Sequence, residues 1–364
     1  MSVHYLSEET PVVLLQYEDL VNGADLRKAI GAAYGEDGLG VLAVRGVPGV
    51  QEKRMAALPM AFKFAQLPDE KKKEFEVPPF FQRGWDHGHE SMKDGTPDTS
   101  KGSFYFNPLV DEHTGVDEAV KEKYPTFFGK NVFPSDVLPE FEGSCKALAR
   151  LIIDVGKLVA KQVDAYVASE CDDYPASRLG DVVEQSTSHV TRLLHYFAKS
   201  EASDDSGESA DNWCGWHNDH GSLTGLAPAI YHAPNGDVIP CPDATAGLYI
   251  KNRKGDIVRA RCPGDVLLFQ IGETAQVHSG GVVKATPHMV RAANVAGVSR
   301  STMAVFMEPD APYDMKKPAS RTLEQTAQVE HLPEGVPRLQ SRWNGDDDNF
   351  GDFGARTIQA YYQS

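Results

Sequence analysis

From about residue 186 the sequence breaks into short apolar runs closed by Gly, Pro or Asp, and this pattern limits the fold more than any other feature. Residues 188–196, 247–251, 265–271, 282–285, 289–294 and 302–307 read as strands. Ahead of them the sequence is mostly helical. Many short strands after helical sequence predict a β-sandwich or jelly roll with helices packed around it, a mixed α and β fold.

The earlier residues supply the flanking parts. Residues 11–16 and 40–44 have strand length, and Asp25 stands as a cap for a helix through Leu26, Ile30 and Ala33. A helix is predicted over 51–65. The charged run 69–73 reads as a solvated helix face. Another helix is predicted over 136–168, where Leu138, Phe141, Leu148, Leu151, Ile152, Val155 and Leu158 recur near the 3.6 period and read as core. Residues 78–107 show little periodicity and carry Phe80, Phe81, Trp85, Phe104, Tyr105 and Phe106 among Gly, Pro and polar residues. They predict a long loop that walls or covers a site. Residues 201–211, acidic and small, read as a surface insertion. The expected organisation is one integrated unit: an N-terminal region 1–130, supporting helices 131–185, a jelly-roll core 186–310 and an extension 311–364.

Charge narrows the partners. Across 364 residues, 36 basic and 52 acidic side chains leave a net charge of −16, with no concentrated basic patch. Such a field repels phosphate backbones and anionic lipid, so neither nucleic acid nor a membrane surface is an expected partner. Five widely spaced cysteines without a Cys-x-x-Cys pair suggest neither a disulfide framework nor a zinc site, and point to a reducing compartment. The first residues lack the basic start and apolar run of a signal peptide, so a cytoplasmic location is expected. The longest apolar stretch, 148–167, is interrupted by Arg150, Asp154, Lys157 and Lys161, which suits an amphipathic helix. With no coiled-coil heptads, a monomer is the default.

The densest chemical constellation is Trp216-His217-Asn218-Asp219-His220-Gly221. On an extended strand His217 and Asp219 share a face while Asn218 points away. Two histidines and a carboxylate on one side of an octahedral ion suit Fe(II) oxygenase chemistry, so one histidine is still needed. His232, His278 and His288 are the downstream choices. Arg300 and Thr302 again share a strand face, and a guanidinium beside a hydroxyl makes a receptor for a carboxylate. If 294–297 turns a hairpin, His288, 12 residues before Arg300, lies on the neighbouring strand. The offset is then on the order of 10 Å, which a five-carbon diacid and an arginine side chain can bridge. His278, followed by Ser279-Gly280-Gly281, fits a strand end or turn better, so His288 is preferred. His87 and His89 read as polar loop residues, and Arg83 and Lys101 as exposed charges.

These residues carry a resemblance. Gly38-Leu39-Gly40-Val41-Leu42, Phe64-Ala65-Gln66-Leu67-Pro68, His217-Asn218-Asp219, Gly247-Leu248-Tyr249-Ile250, Pro263-Gly264-Asp265, Gln270-Ile271-Gly272-Glu273, Thr286-Pro287-His288 and Arg300-Ser301-Thr302 follow in one order. That order resembles the isopenicillin N synthase-like family of Fe(II) and 2-oxoglutarate-dependent dioxygenases over most of the chain. The resemblance implies a distorted double-stranded β-helix (jelly roll) core with flanking helices from the N-terminal half. It implies Fe(II) held by His217, Asp219 and His288, 2-oxoglutarate held by Arg300, and O2 as second cosubstrate. Thr302 stands where the family usually has serine, and Tyr196 matches a tyrosine that contacts the cosubstrate. On that strand Leu194 replaces an asparagine and His195 an aromatic residue. Tyr105 and Phe106 fall where the resemblance places substrate-side walls.

The implied activity is oxidation of a C–H bond of a small molecule, by hydroxylation, desaturation or oxidative cyclisation, with release of succinate and CO2. Two other readings compete: an iron oxidase of the isopenicillin N synthase type that needs no 2-oxoglutarate, and a non-catalytic metal-binding jelly-roll module.

Overall fold

The computed structural model describes residues 2–7, 10–79, 82–90, 96–200, 212–329 and 331–363. Its strands are β1 (Tyr5–Ser7), β2 (Thr10–Gln16), β3 (Val41–Arg45), β4 (Gly84–His87), β5 (Lys101–Phe106), β6 (Val190–Tyr196), β7 (Asn212–His217), β8 (Leu223–His232), β9 (Val238–Ile239), β10 (Gly247–Lys251), β11 (Ile257–Ala260), β12 (Val266–Ile271), β13 (His288–Arg291) and β14 (Ser299–Met307). The larger sheet runs β1-β2-β3-β12-β8-β14-β6-β5-β4, with β9 paired to β8, and the smaller runs β11-β10-β13-β7.

β3 and β12 of the larger sheet are buried on both faces, so they read as nearly unbroken apolar runs. In β3, Val41 and Ala43 pack with Ile250 and Ala260 of the smaller sheet, while Leu42 and Val44 join the core on the helical side. β12 divides in the same way, with Leu268 inward and Leu267 and Phe269 outward. The helix Phe141–Glu170 buries Ile152, Val155 and Val159 in the outer core. At Gly225 of β8, a Cβ would fall 2.1 Å from Ile152 Cγ2, so only glycine lets helix and sheet approach this closely. Among the described residues no helix is long and apolar enough to cross a membrane.

The helices expected over 51–65 and 136–168 form as Val50–Ala65 and Phe141–Glu170. Four expectations need correction. The first is the loop 78–107, which contains β4 and β5; these pair with each other and, through β5, with β6. β5 hides its period because one face carries Phe104 and Phe106 and the other Lys101, Ser103 and Tyr105, with both faces largely buried. Phe80 and Phe81 lie outside the described residues, as does the insertion 201–211.

Second, 282–285 is not a strand. Gly280 and Gly281 turn the chain at φ 63 and 80, and side chains replace ladder partners: Val283 N–H donates to Ser279 Oγ (3.2 Å) and Ala285 N–H to Gln276 Oε1 (3.0 Å). Third, His278, expected at a strand end or turn, ends a short helix, Glu273–His278, and the turn begins at the next residue. Fourth, β13 and β14 form no hairpin. β13 pairs with β10 and β7, and β14 with β6 and β8, so the chain crosses between sheets at 292–298.

Candidate active site

His217 ends β7 and His288 begins β13, and the ladder places them opposite each other with ring centroids 4.3 Å apart. Asp219 follows two residues after β7, and its Oδ1 lies 3.8 Å from Nε2 of both histidines. Among the described residues these three form the one group of at least three His, Cys, Asp or Glu with convergent ligand atoms, all within 4.8 Å of one another. His217 Nδ1–H donates to Gly215 O (2.9 Å) and His288 Nδ1–H to Thr286 O (3.3 Å). Those bonds select the tautomer whose Nε2 lone pair faces Asp219, the arrangement a metal ligand needs.

Electrostatics separate the two histidines. Burial opposes a charge on His217, but Cys214 and Asp219 outweigh it and raise the imidazole to about 9, so an ion would have to displace a proton there. Burial, then the neighbouring His217, pushes His288 down to about 4, so its imidazole is neutral near pH 7. Burial opposes ionisation of Asp219, but His288 and His217 outweigh it and hold the carboxyl below its usual range. Asp219 Oδ2 is buried without a hydrogen-bond partner. Two imidazoles and a carboxylate, one oxygen still unpartnered, fit a divalent ion of the Fe(II) type.

Arg300 stands in β14 between Tyr196 of β6 and Tyr231 of β8. Its guanidinium carbon sits 5.0 Å from the ring centroid of Tyr196 and 5.9 Å from that of Trp213, and those two rings stack at 5.2 Å. Arg300 Nε and Nη1 are buried with no acceptor. An unpaired buried donor costs about 1–3 kcal/mol, and a carboxylate entering the cavity would supply the guanidinium with an acceptor. Thr302 Oγ1 donates to Ala227 O (2.8 Å), which leaves its lone pairs for accepting only. A cavity of about 640 Å³ connects the triad with Arg300 and Thr302 and is walled by Leu194, Leu226, Leu248 and Val290.

Arg192, which the sequence reading did not single out, also lines this cavity. Its Nε donates to Ser103 Oγ (2.8 Å) and its Nη2 to Glu90 Oε1 (2.6 Å), and it lies 5.2 Å over the Tyr105 ring. Lys101 pairs with Glu90 at 3.0 Å and with Asp98. The strand signal was present, because Arg192, Leu194 and Tyr196 alternate onto one face. Cys214, also unremarked, lines the cavity 3.7 Å from His217 Nδ1.

Other expectations fare differently. Tyr105 shares the inward face of β5 but sits behind Arg192, donating to Glu90 at 3.4 Å. Phe106 is no cavity wall; it faces the opposite way, fully buried in the core, 5.6 Å from Phe133. Arg83 and Lys101 are buried, not exposed, and Arg83 donates to the carbonyls of Gln82, Phe127 and Gly129. His87 meets Thr99 O and His89 meets Asp86, away from the triad. His232 contacts Ser301 Oγ and His278 contacts Asp314 O, so neither joins the ligand set.

No family model matches the chain. A curated soybean (Glycine max) protein, homoarginine-6-hydroxylase 2-ODD-C23, is 23% identical over 229 residues, which span 63% of this chain and 62% of that protein. A Caulobacter crescentus protein assigned to the 2OG-Fe(II) oxygenase family superposes with a TM-score of 0.69 at 18% identity, covering 96% of this chain and 99% of its own. A full-length Neurospora crassa protein in complex with alpha-KG superposes at 0.67 and 19% identity over the whole of both chains, and the same Neurospora protein has also been solved with alpha-KG and thymine. The chain thus shares its fold with proteins described as 2OG-Fe(II) oxygenases or solved with alpha-KG, and carries a His-Asp-His cluster that could hold a metal ion.

Proposed function

We propose that this chain is an Fe(II)- and 2-oxoglutarate-dependent oxygenase of a small polar metabolite, with His217, Asp219 and His288 holding the iron and Arg300 receiving the distal carboxylate of 2-oxoglutarate. The observation that carries the reading is the conjunction, across one cavity, of a His-Asp-His cluster and a buried guanidinium with two unpartnered donors. When bound, iron and 2-oxoglutarate supply an oxidant from O2, with succinate and CO2 as coproducts.

The chain's own residues have defined tasks in this scheme. Three protein donors leave an octahedral ion positions to spare on its cavity side. Tyr196 and Trp213 hold the Arg300 guanidinium from below, so its donors meet a carboxylate without reorganising. Thr302 accepts from, rather than donates to, what binds beside it. Leu194, Leu226, Leu248 and Val290 keep the span between the two ends dry. Arg192, fixed by Glu90 and Ser103, gives the substrate a rigid hydrogen-bonding wall, which favours a polar or anionic molecule over a hydrocarbon.

Two facing sheets with the triad between them support the finer description, a distorted double-stranded β-helix with flanking helices. The net charge of −16 supports an enzyme without nucleic-acid or membrane-surface partners.

Anaerobic addition of Fe(II) and 2-oxoglutarate tests the reading. A weak visible charge-transfer band and succinate release in air, both lost in Arg300→Ala, are expected. Absence of the band, or succinate release indifferent to Arg300→Ala, would overturn it.

A further inference from the structure

The turn that carries His217 and Asp219 is gripped from the side opposite the cavity. Asn218 lies between the two ligands, so rotation about its backbone displaces both. Its N–H donates to the Tyr361 phenol oxygen (2.9 Å), and its Nδ2 donates to Glu273 Oε1 (3.1 Å). Glu273 is itself clasped by Arg342, Nη2 to Oε1 at 2.6 Å and Nη1 to Oε2 at 2.7 Å. Arg342 also donates to Thr357 Oγ1 (2.8 Å) and Pro337 O (3.0 Å). Asn218, Glu273, Arg342 and Thr357 are all buried.

The backbone is held as well. Glu273 N–H donates to Asp219 O (2.8 Å) and the Thr274 hydroxyl to His220 O (2.6 Å). Thr357 and Tyr361 sit four residues apart on the last helix, Phe350–Gln363, and therefore on one face of it. None of Glu273, Arg342, Thr357 and Tyr361 lines the cavity.

Resting on the metal reading above, we infer that Tyr361 and the Arg342–Glu273 pair are positioning residues of the metal centre: through Asn218, the C-terminal helix fixes the angle at which His217 and Asp219 present their ligand atoms. A turn free to rotate would have to be ordered when the ion binds, and that entropy would be subtracted from its affinity. Partners of ligands are typically worth about 10–100-fold in metal affinity. Here the grip falls on the residue between the ligands, so the lower end of that range is expected.

The test uses Co(II) as probe, titrated into the full-length metal-free protein and followed by its visible ligand-field absorption. Tyr361→Phe removes a single oxygen, and Asn218→Ala removes the side-chain contact while leaving Glu273 paired with Arg342. Each is expected to weaken Co(II) binding about 10-fold and to alter the shape of the absorption. Asp352→Asn, which loosens the same helix at its exposed contact with Lys123, is expected to leave both unchanged. Wild-type affinity and spectrum in both Tyr361→Phe and Asn218→Ala would overturn the inference while leaving the functional reading intact. Equal weakening in Asp352→Asn would reduce the effect to general helix docking and also overturn it. Failure of the wild type to bind Co(II) would remove the functional reading, and this inference with it.

Discussion

Arg342 and Arg300 are both buried, 1% and 7% exposed, yet the two are treated in opposite ways. Arg342 meets both oxygens of Glu273 and has Thr357, Pro337 and Arg338 as further acceptors. Arg300 has two donors with nothing to bind and two aromatic faces beneath it. The carboxylates repeat the contrast: both Glu273 oxygens are paired, while Asp219 Oδ2 has no partner. Depth alone therefore does not separate scaffold from site. A saturated ion pair holds elements together, whereas an unsatisfied buried ion raises the energy of the fold until a ligand completes it.

Substitutions at the two places sharpen or break that contrast. The largest effect is expected at Asp219→Ala, which should abolish Fe(II) binding in an anaerobic titration and leave a folded protein. Next, Arg300→Met should weaken 2-oxoglutarate binding by at least about 100-fold in calorimetry, since each charge-assisted bond is worth about 1.5–3 kcal/mol. The same variant should melt no lower than the wild type, because it removes two unmet donors. Arg342→Met should behave in reverse, losing about 3–5 kcal/mol in chemical denaturation by stranding Glu273. If Arg300→Met destabilises and Arg342→Met does not, the contrast is wrong.

Gly225→Ala should cost about 1–3 kcal/mol by forcing Ile152 from its place, again read by denaturation. The smallest effect concerns pH. Burial raises Asp164 to about 6 despite its bonds from Tyr174 and the N–H groups of Leu179 and Gly180. A raised folded-state value means its contribution is full below the unfolded value near 3.8 and is lost as pH rises through about 6. Melting curves across that window should therefore show a decline that Asp164→Asn flattens.

Much of the site was legible because its residues alternate on strands. His217 with Asp219, and Arg300 with Thr302, share faces by a period of two, and their chemistry follows from residue type. His288 was reached through a hairpin that does not exist: it lies on the smaller sheet beside His217, and Arg300 lies on the larger one across the same cavity. Phe106 failed because substrate-side position and core position look alike in an aromatic strand. Lys101 and Arg83 failed because burial of a charge depends on partners such as Glu90 and the Phe127 carbonyl, distant in sequence. The same distance hid Arg342 and Tyr361, which act on a turn more than 100 residues before them.

The crossing of residues 292–298 from one sheet to the other has a further consequence. His288 and Arg300 are near neighbours along the chain, but the gap between them is set by separate ladders, in the manner of callipers whose jaws are clamped independently. On the proposed reading of the site, lengthening the link between the jaws should leave the chain length of an admitted dicarboxylic acid untouched. Sliding either ladder by two residues would reset it.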